Sequence, residues 1–236
     1  MLLWLGTWLF GGCGAKRIMP TTPNEPMMFD LDFSYTLDFE RADIPDDTTF
    51  WALDLRLTVV ETHRDDSLSL QLDFVDVQFR ESQTESWSEH PLQSQRLVVR
   101  CFPWGELLLV EGWEAISVLE DVQWLDFMFG ALFPNPPVRS GQQWNSRLLP
   151  WPYYLNPEPH SKQIVSATWT QPSDGAWTYE GSWYGKRGVT PLFDGLAKGS
   201  ITASTPWIAT HTFDWTRTIS KPIVAEQHII GSLEQR

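Results

Sequence analysis

Cysteine is scarce in this chain: Cys13 and Cys101 are the two it has. That excludes the disulfide-dense scaffolds of small secreted domains and leaves no Cys-x-x-Cys pair for zinc or redox chemistry. Histidine is nearly as thin. His63, His90, His160, His211 and His228 show neither His-x-x-x-His nor His-Glu-x-x-His spacing, so no metal centre is expected. There is no Gly-rich nucleotide loop. The serine contexts Ser140-Gly141, Gly181-Ser182-Trp183 and Gly199-Ser200-Ile201 do not fit the G-x-S-x-G turn of a hydrolase nucleophile. Basic residues are outnumbered 17 to 30 by acids, and no basic cluster is longer than Lys16-Arg17 or Lys186-Arg187. A net charge of −13 repels nucleic-acid backbones, so nucleic-acid binding is not expected. No catalytic residue set and no cofactor is expected either.

Long apolar runs are also missing. Leu2–Phe10 (LLWLGTWLF) is the strongest, and its nine residues fall short of the roughly 20 a helix needs to cross a bilayer. The length suits the apolar region of a signal peptide. Phe10-Gly11-Gly12-Cys13 follows and resembles the lipobox of bacterial lipoproteins, in which small residues precede a cysteine that becomes the acylated first residue. Residues 1–12 are thus expected to be a signal peptide and Cys13 the lipidation site. Residues 13–26, Pro-rich and without periodicity, would form the tether. Gly14, where an Asp would retain the protein at the inner membrane, resembles the pattern sent to the outer membrane. The expected partner is therefore a membrane, reached through lipid. With Cys13 acylated, Cys101 in LVVRCFPW is expected to be a buried, inert thiol.

What the chain has in abundance is tryptophan, 14 residues, beside 13 Phe and 5 Tyr. Each indole brings a large apolar area and an N–H that wants an acceptor when buried, so sheet faces and cavity walls are its natural places. Residues 29–39 (FDLDFSYTLDF) alternate for eleven positions, which is a strand with one packed and one wet face. Residues 51–59 repeat the pattern. From Leu68 the apolar positions are even (68, 70, 72, 74) and then odd (75, 77, 79), and this change of parity requires a β-bulge near Phe74-Val75. His63–Ser67 is a hairpin connection, 81–92 a polar loop, and 95–102 with 106–111 a further hairpin. Short links between wet-faced strands mean an antiparallel meander. Val118, Val122, Leu125, Phe129 and Leu132 recur at helical spacing, predicting one helix over 117–132 with Ser117 and Glu120 as a capping box. Strands resume near Gln142 and continue through 162–169, 176–184, Ile201–Trp215 and 223–230. The fold class is thus mainly β: antiparallel meander sheets of about ten strands, as a curved sheet, sandwich or open barrel, with one central α-helix near 117–132. Residues 27–133 form an acidic β region ending in that helix, and 134–236 a neutral one packed with it as one unit. Residues 1–130 hold 23 acids against 8 bases, the remainder 7 against 9.

The stretch Leu132-Phe133-Pro134 … Pro137-Val138-Arg139-Ser140-Gly141-Gln142-Gln143-Trp144 resembles the opening of the second β section in the uncharacterised bacterial lipoproteins of the DUF6263-like family. The resemblance implies architecture and an envelope location, without chemistry. A looser likeness in layout is to periplasmic lipoprotein carriers, in which a curved antiparallel sheet wraps an apolar cavity.

Trp207, His211, Phe213 and Trp215 share one face of their strand and are the candidate lining of such a cavity, with an apolar small molecule or an envelope protein as partner. Asp30, Asp32 and Asp38 make a wet stripe. Carboxylates two residues apart on a strand stand about 7 Å from each other, too far to share one divalent ion unaided. The leading expectation is a non-catalytic envelope lipoprotein. The rival is a carbohydrate-active enzyme, which needs exposed Trp beside a carboxylate pair about 5 to 9.5 Å apart.

Overall fold

The computed structural model describes residues 25–39, 46–102, 107–116, 119, 124–133, 143–148, 161–170, 176–187, 190–203, 208–219 and 225–236. Its strands are β1 (Met27–Phe39), β2 (Asp47–Thr62), β3 (Leu68–Arg80), β4 (Ser88–Glu89), β5 (Arg96–Cys101), β6 (Leu107–Glu111), β7 (Gln143–Leu148), β8 (Ser161–Thr170), β9 (Ala176–Arg187), β10 (Thr190–Ala203), β11 (Ile208–Ile219) and β12 (Ala225–Gln235). Two helices, α1 (Trp113–Ile116) and α2 (Leu125–Leu132), separate β6 from β7. All strands join one antiparallel sheet in the order β6-β5-β3-β2-β1-β12-β11-β10-β9-β8-β7, with β4 pairing β3 from the side. The chain therefore starts at the centre, steps out to one edge, crosses through the helices to the other edge and steps back. β1 and β12 zip the two meanders together through eleven residue pairs, Phe29↔Gln235 to Phe39↔Ala225. The sheet is open: β6 and β7 end it.

Alternation sets the two faces. Along β1, Met27, Phe29, Leu31, Phe33 and Tyr35 are buried, while Asp32 is exposed and Asp30 and Ser34 are half-exposed. The expected parity change is present. Asp54 pairs Asp76 and Leu55 pairs Phe74, which leaves Val75 as the extra residue of a bulge. Val60 and Leu108 are extra in the same way, skipped between Val59/Glu61 and between the partners of Arg100 and Cys101. These three bulge residues are 53%, 41% and 42% exposed in chain order, so three surface-facing apolar side chains follow from backbone register.

The structure redraws three boundaries. The stretch Ile201–Trp215 is not one strand: β10 ends at Ala203 and β11 begins at Ile208, and residues 190–200, with glycines at 195 and 199, belong to β10. Glycine hides a strand from a hydrophobicity pattern because it carries no side chain to alternate. The described helix α2 is eight residues long and starts after Trp124, without a side-chain cap; Ser117 and Glu120 lie outside the described residues. The polar loop 81–92 contributes the two-residue β4.

The core lies on the inner face of the sheet. Leu55, Leu70, Leu72, Phe74, Leu97 and Val99 are wholly buried, each side chain contributing about 1.5–3 kcal/mol by leaving water. Cys101 joins them, and burial pushes its thiol up to about 12. We therefore expect Cys101 to resist a water-soluble disulfide reagent in the native protein and to react only on unfolding. Rapid native labelling at this position would show that the β5–β3 interface opens.

Candidate functional site

The inner face is ordered in rows running across the strands. Cross-strand pairing sets Tyr179, Gly199, Phe213, Gly231, Phe33, Trp51 and Phe79 side by side, from β9 to β3. In the β9–β12 part, aromatic residues alternate with glycines, and the rings spread over the space the glycines leave. At Gly231 an added Cβ would lie 2.5 Å from Cβ of Phe33 and 2.8 Å from Cζ of Phe213. Two rows further along, Trp183, Gly195, Arg217 and Gln227 stand together.

Of the candidate lining residues, His211, Phe213 and Trp215 come together on the inner face of β11, with ring centroids 5.5 to 6.4 Å apart. Trp207 lies outside the described residues, as does Cys13. The three are buried and packed towards α2 and its neighbours, Trp215 lying 6.3 Å from Phe127. His211 forms part of a hydrogen-bonded chain. Its Nδ1 is 2.7 Å from the Ala131 carbonyl, which can only accept, so Nδ1 carries the proton. Neutral His211 then accepts at Nε2 from the Tyr179 hydroxyl at 2.8 Å, and Tyr179 accepts in turn from Trp215 Nε1 at 2.8 Å. Ala131 belongs to the last turn of α2, where carbonyls lack helical partners, so His211 ties the C-terminal end of the helix to the sheet. Burial depresses His211 to about 4, against a smaller opposing effect of the Ala131 hydrogen bond; burial also keeps the Tyr179 phenol protonated.

Four residues of this interior were not singled out from sequence. Arg217 is wholly buried, its guanidinium stacked over Phe127 at 4.5 Å, Trp183 at 4.8 Å and Phe193 at 5.2 Å, with Nε donating to Gln227 Oε1 at 2.5 Å. A signal existed: Arg217 continues the 211, 213, 215 parity and so had to point inwards. Tyr179 and Gln227 obey the same rule beside Trp177 and Ile229. Trp124, just before α2, packs on Phe33 at 4.9 Å and Trp51 at 4.8 Å. The polar groups Tyr179, His211, Arg217 and Gln227 all belong to β9–β12, whereas the inner face of β1–β3 is apolar or aromatic.

The outer face is different in kind. A shallow groove of about 970 Å³ crosses β8–β12 between Thr178, Thr212 and Ser232 on one side and Glu180, Lys198 and Asp214 on the other. Lys198 stands between the two acids in register, its Nζ 2.6 Å from Asp214. Burial works against ionisation of Asp214, but hydrogen bonds from Lys198 and His228 outweigh it and hold the carboxyl below its ordinary value. That is the reverse of what a general acid needs, and no Trp lines the groove among the described residues. Further along, pairing aligns Asp30, Asp54 and Asp76, and Arg236 bridges the first two at 2.5 and 2.7 Å. Burial, with Asp30 and Asp54 nearby, raises the Asp32 carboxyl. Among the described residues no three His, Cys, Asp or Glu are placed to hold a metal ion, and no helix is long and apolar enough to cross a membrane. The stretch resembling the DUF6263-like family ends α2 at Leu132 and opens the edge strand β7 at Gln143; residues 134–142 lie outside the described residues.

No family model and no curated protein matches the chain. Among solved structures it is similar to one described as lipid–protein interactions in lipovitellin, with 6% identity and a TM-score of 0.53 over 91% of this chain. The chain spans 25% of that protein's length, and the likeness is one of fold alone. It also aligns with the S-type phycobiliprotein lyase CPES from Guillardia theta, at 7% identity over 89% of this chain and 86% of that one, with a TM-score of 0.34.

Proposed function

We propose that this is a non-catalytic cell-envelope lipoprotein, held to a membrane (the outer one, by the residue after the cysteine) through acylated Cys13, whose open sheet takes an apolar ligand on its inner face. One observation carries the reading. The aromatic and apolar inner face of a twelve-stranded sheet is covered, among the described residues, by the short helices α1 and α2 together with Leu92, Leu119, Trp124 and Phe133 rather than by a second sheet. The cover is thus made of short pieces, the longer helix about 12 Å in length, over strands of up to sixteen residues whose inner side chains are buried beneath it. An apolar interior under a divided cover is suited to an acyl chain lodged between cover and sheet. The lipid interactions named for the lipovitellin structure belong to that protein; they make lipid a reasonable first probe here. The anchor rests on the lipobox resemblance at Phe10–Cys13.

Two measurements test the reading. A bromine-labelled fatty acid should quench emission of the inner-face tryptophans Trp51, Trp124, Trp183 and Trp215, saturating at one ligand per chain. Quenching that never saturates would remove the ligand. Mass spectrometry of membrane-extracted protein should find a diacylated or triacylated Cys13 as first residue, and an unprocessed Met1 would end the anchor.

A further inference from the structure

Two indole N–H groups of this interior donate to side-chain oxygens: Trp51 Nε1 to Thr49 Oγ1 at 2.8 Å and Trp215 Nε1 to Tyr179 at 2.8 Å. Trp124 breaks the pattern. The residue is wholly buried, and its Nε1 meets no hydrogen-bond acceptor. An unmet donor of this kind costs about 1–3 kcal/mol, and buried donors in folded proteins are nearly always paired. The donor lies where α2 begins. Trp124 occupies the N-cap position in a helical backbone conformation, gives no side-chain cap, and is followed by an end of the helix that carries partial positive charge. The two ends of α2 are thus held differently. His211 ties the C-terminal end by a hydrogen bond, while Trp124 meets the sheet through ring contacts with Phe33 and Trp51.

Resting on the apolar-ligand reading above, we infer that the ligand carries a hydrogen-bond acceptor, an ester or carboxyl oxygen, which takes the Trp124 indole N–H at the N-terminal end of α2 while its hydrocarbon lies among Phe33, Trp51 and their neighbours. The class of ligand is an acyl compound rather than a plain hydrocarbon. An acceptor satisfies the orphaned donor and complements the helix terminus in one step, which an alkane cannot do. Tyr179 and His211 are already committed to each other and to Ala131, and Arg217 Nε to Gln227.

The test is competition for the neutral fluorescent probe N-phenyl-1-naphthylamine by methyl decanoate and by n-dodecane, compared at equal aqueous activity. For the wild-type protein the ester should displace the probe about tenfold more effectively, equivalent to about 1.4 kcal/mol. Trp124→Phe, which keeps a ring but no N–H, should bring the two competitors to parity. In parallel, the indole N–H resonance missing from the Trp124→Phe spectrum should move downfield with ester and stay in place with alkane. If that variant does not fold, the wild-type preference and its indole resonances still decide the matter. Equal displacement by both competitors, or a preference that survives in Trp124→Phe, overturns the inference and leaves the apolar-ligand reading standing. Displacement by neither overturns both.

Discussion

Gly199→Ala should cost about 3 kcal/mol, enough to lower the melting temperature by about 6–12 °C in a chain of this size. Ordinary propensity argues the other way, since replacing a strand-interior glycine by alanine usually gains about 0.5–1 kcal/mol. The structure reverses the sign. A Cβ at 199 would stand 2.5 Å from Tyr179 Oη and 2.7 Å from its Cζ, and closer still to the Thr212 carbonyl. The backbone oxygen is fixed by its ladder, so Tyr179 must swing away. Its hydroxyl cannot move without releasing both Trp215 Nε1 and His211 Nε2 inside the core. Each group so released loses a partner where no water replaces it. Ser200→Ala is the matched control: the next residue on β10 points outwards, and its bond to Thr212 Oγ1 is exposed, so it should stay within about 0.5 kcal/mol of the parent. Thermal unfolding of the two variants side by side settles the point. A Gly199→Ala protein as stable as the parent would mean that Tyr179 does not lie over β10.

The same glycines explain how far the sequence could be read. Alternation is a statement about side chains, so it placed β1, β2 and β3 and even the bulge at Val75, where the inward residues are Leu, Phe, Trp and Val. On β10 the inward positions 195, 197 and 199 are Gly, Ala and Gly, too small to mark a face, so alternation shows only the end of the strand from Ile201 and runs it on into the next one. What makes β10 hard to see is what lets Tyr179 and Arg217 lean across it. The extent of α2 was equally hidden. Its apolar spacing is legible from Leu125 to Leu132, but a helix whose N-cap is a tryptophan gives no start signal in its residue types. His211, Phe213 and Trp215 were found because they share a parity with an aromatic run. The hydrogen-bonded chain through them was not legible. It joins β9, β11 and α2, and which residues of three distant segments meet depends on the register of a twelve-stranded sheet.

Apolar lining alone would make a uniform interior, and this one is divided. β1–β3 line the interior with rings and aliphatic chains, the Tyr35 phenol among them on Phe127, and β9–β12 add an imidazole, a second phenol, a guanidinium and an amide. Buried polar groups of this kind stabilise only when every partner is met, and they then fix one arrangement of the parts they join. Tyr179–His211–Ala131 and Arg217–Gln227 thus register α2 against the β9–β12 half of the sheet, while the orphaned Trp124 leaves its other end without a polar tie of its own.

The tie at His211 should make stability fall on acidification already below the ordinary histidine value. His211 is neutral in the folded protein, its value depressed to about 4 by burial, and an unfolded histidine titrates near 6.5. Between those values the unfolded chain binds a proton that the folded one refuses. The contribution is therefore fully present above the unfolded value and drains away as pH falls towards 4, by about 3 kcal/mol in all. Asp73 and Asp214 act in a lower window, because both are held below the ordinary carboxylate value: burial opposes ionisation, and hydrogen bonds from Gln71, Arg96 and Arg56 in the first case, and from Lys198 and His228 in the second, overcome it. His211→Phe separates the effects. Near neutral pH it should be less stable than the parent by about 2–3 kcal/mol, since the Ala131 carbonyl and the Tyr179 hydroxyl lose their partner. On acidification the parent should lose its advantage and the two urea midpoints converge near pH 4, a value set by His211 itself. Parallel pH profiles, with the gap between the proteins unchanged from neutral to acid, would show that His211 takes up its proton alike in the folded and unfolded chain, so that it is solvated in the folded state and not locked in its neutral form against α2.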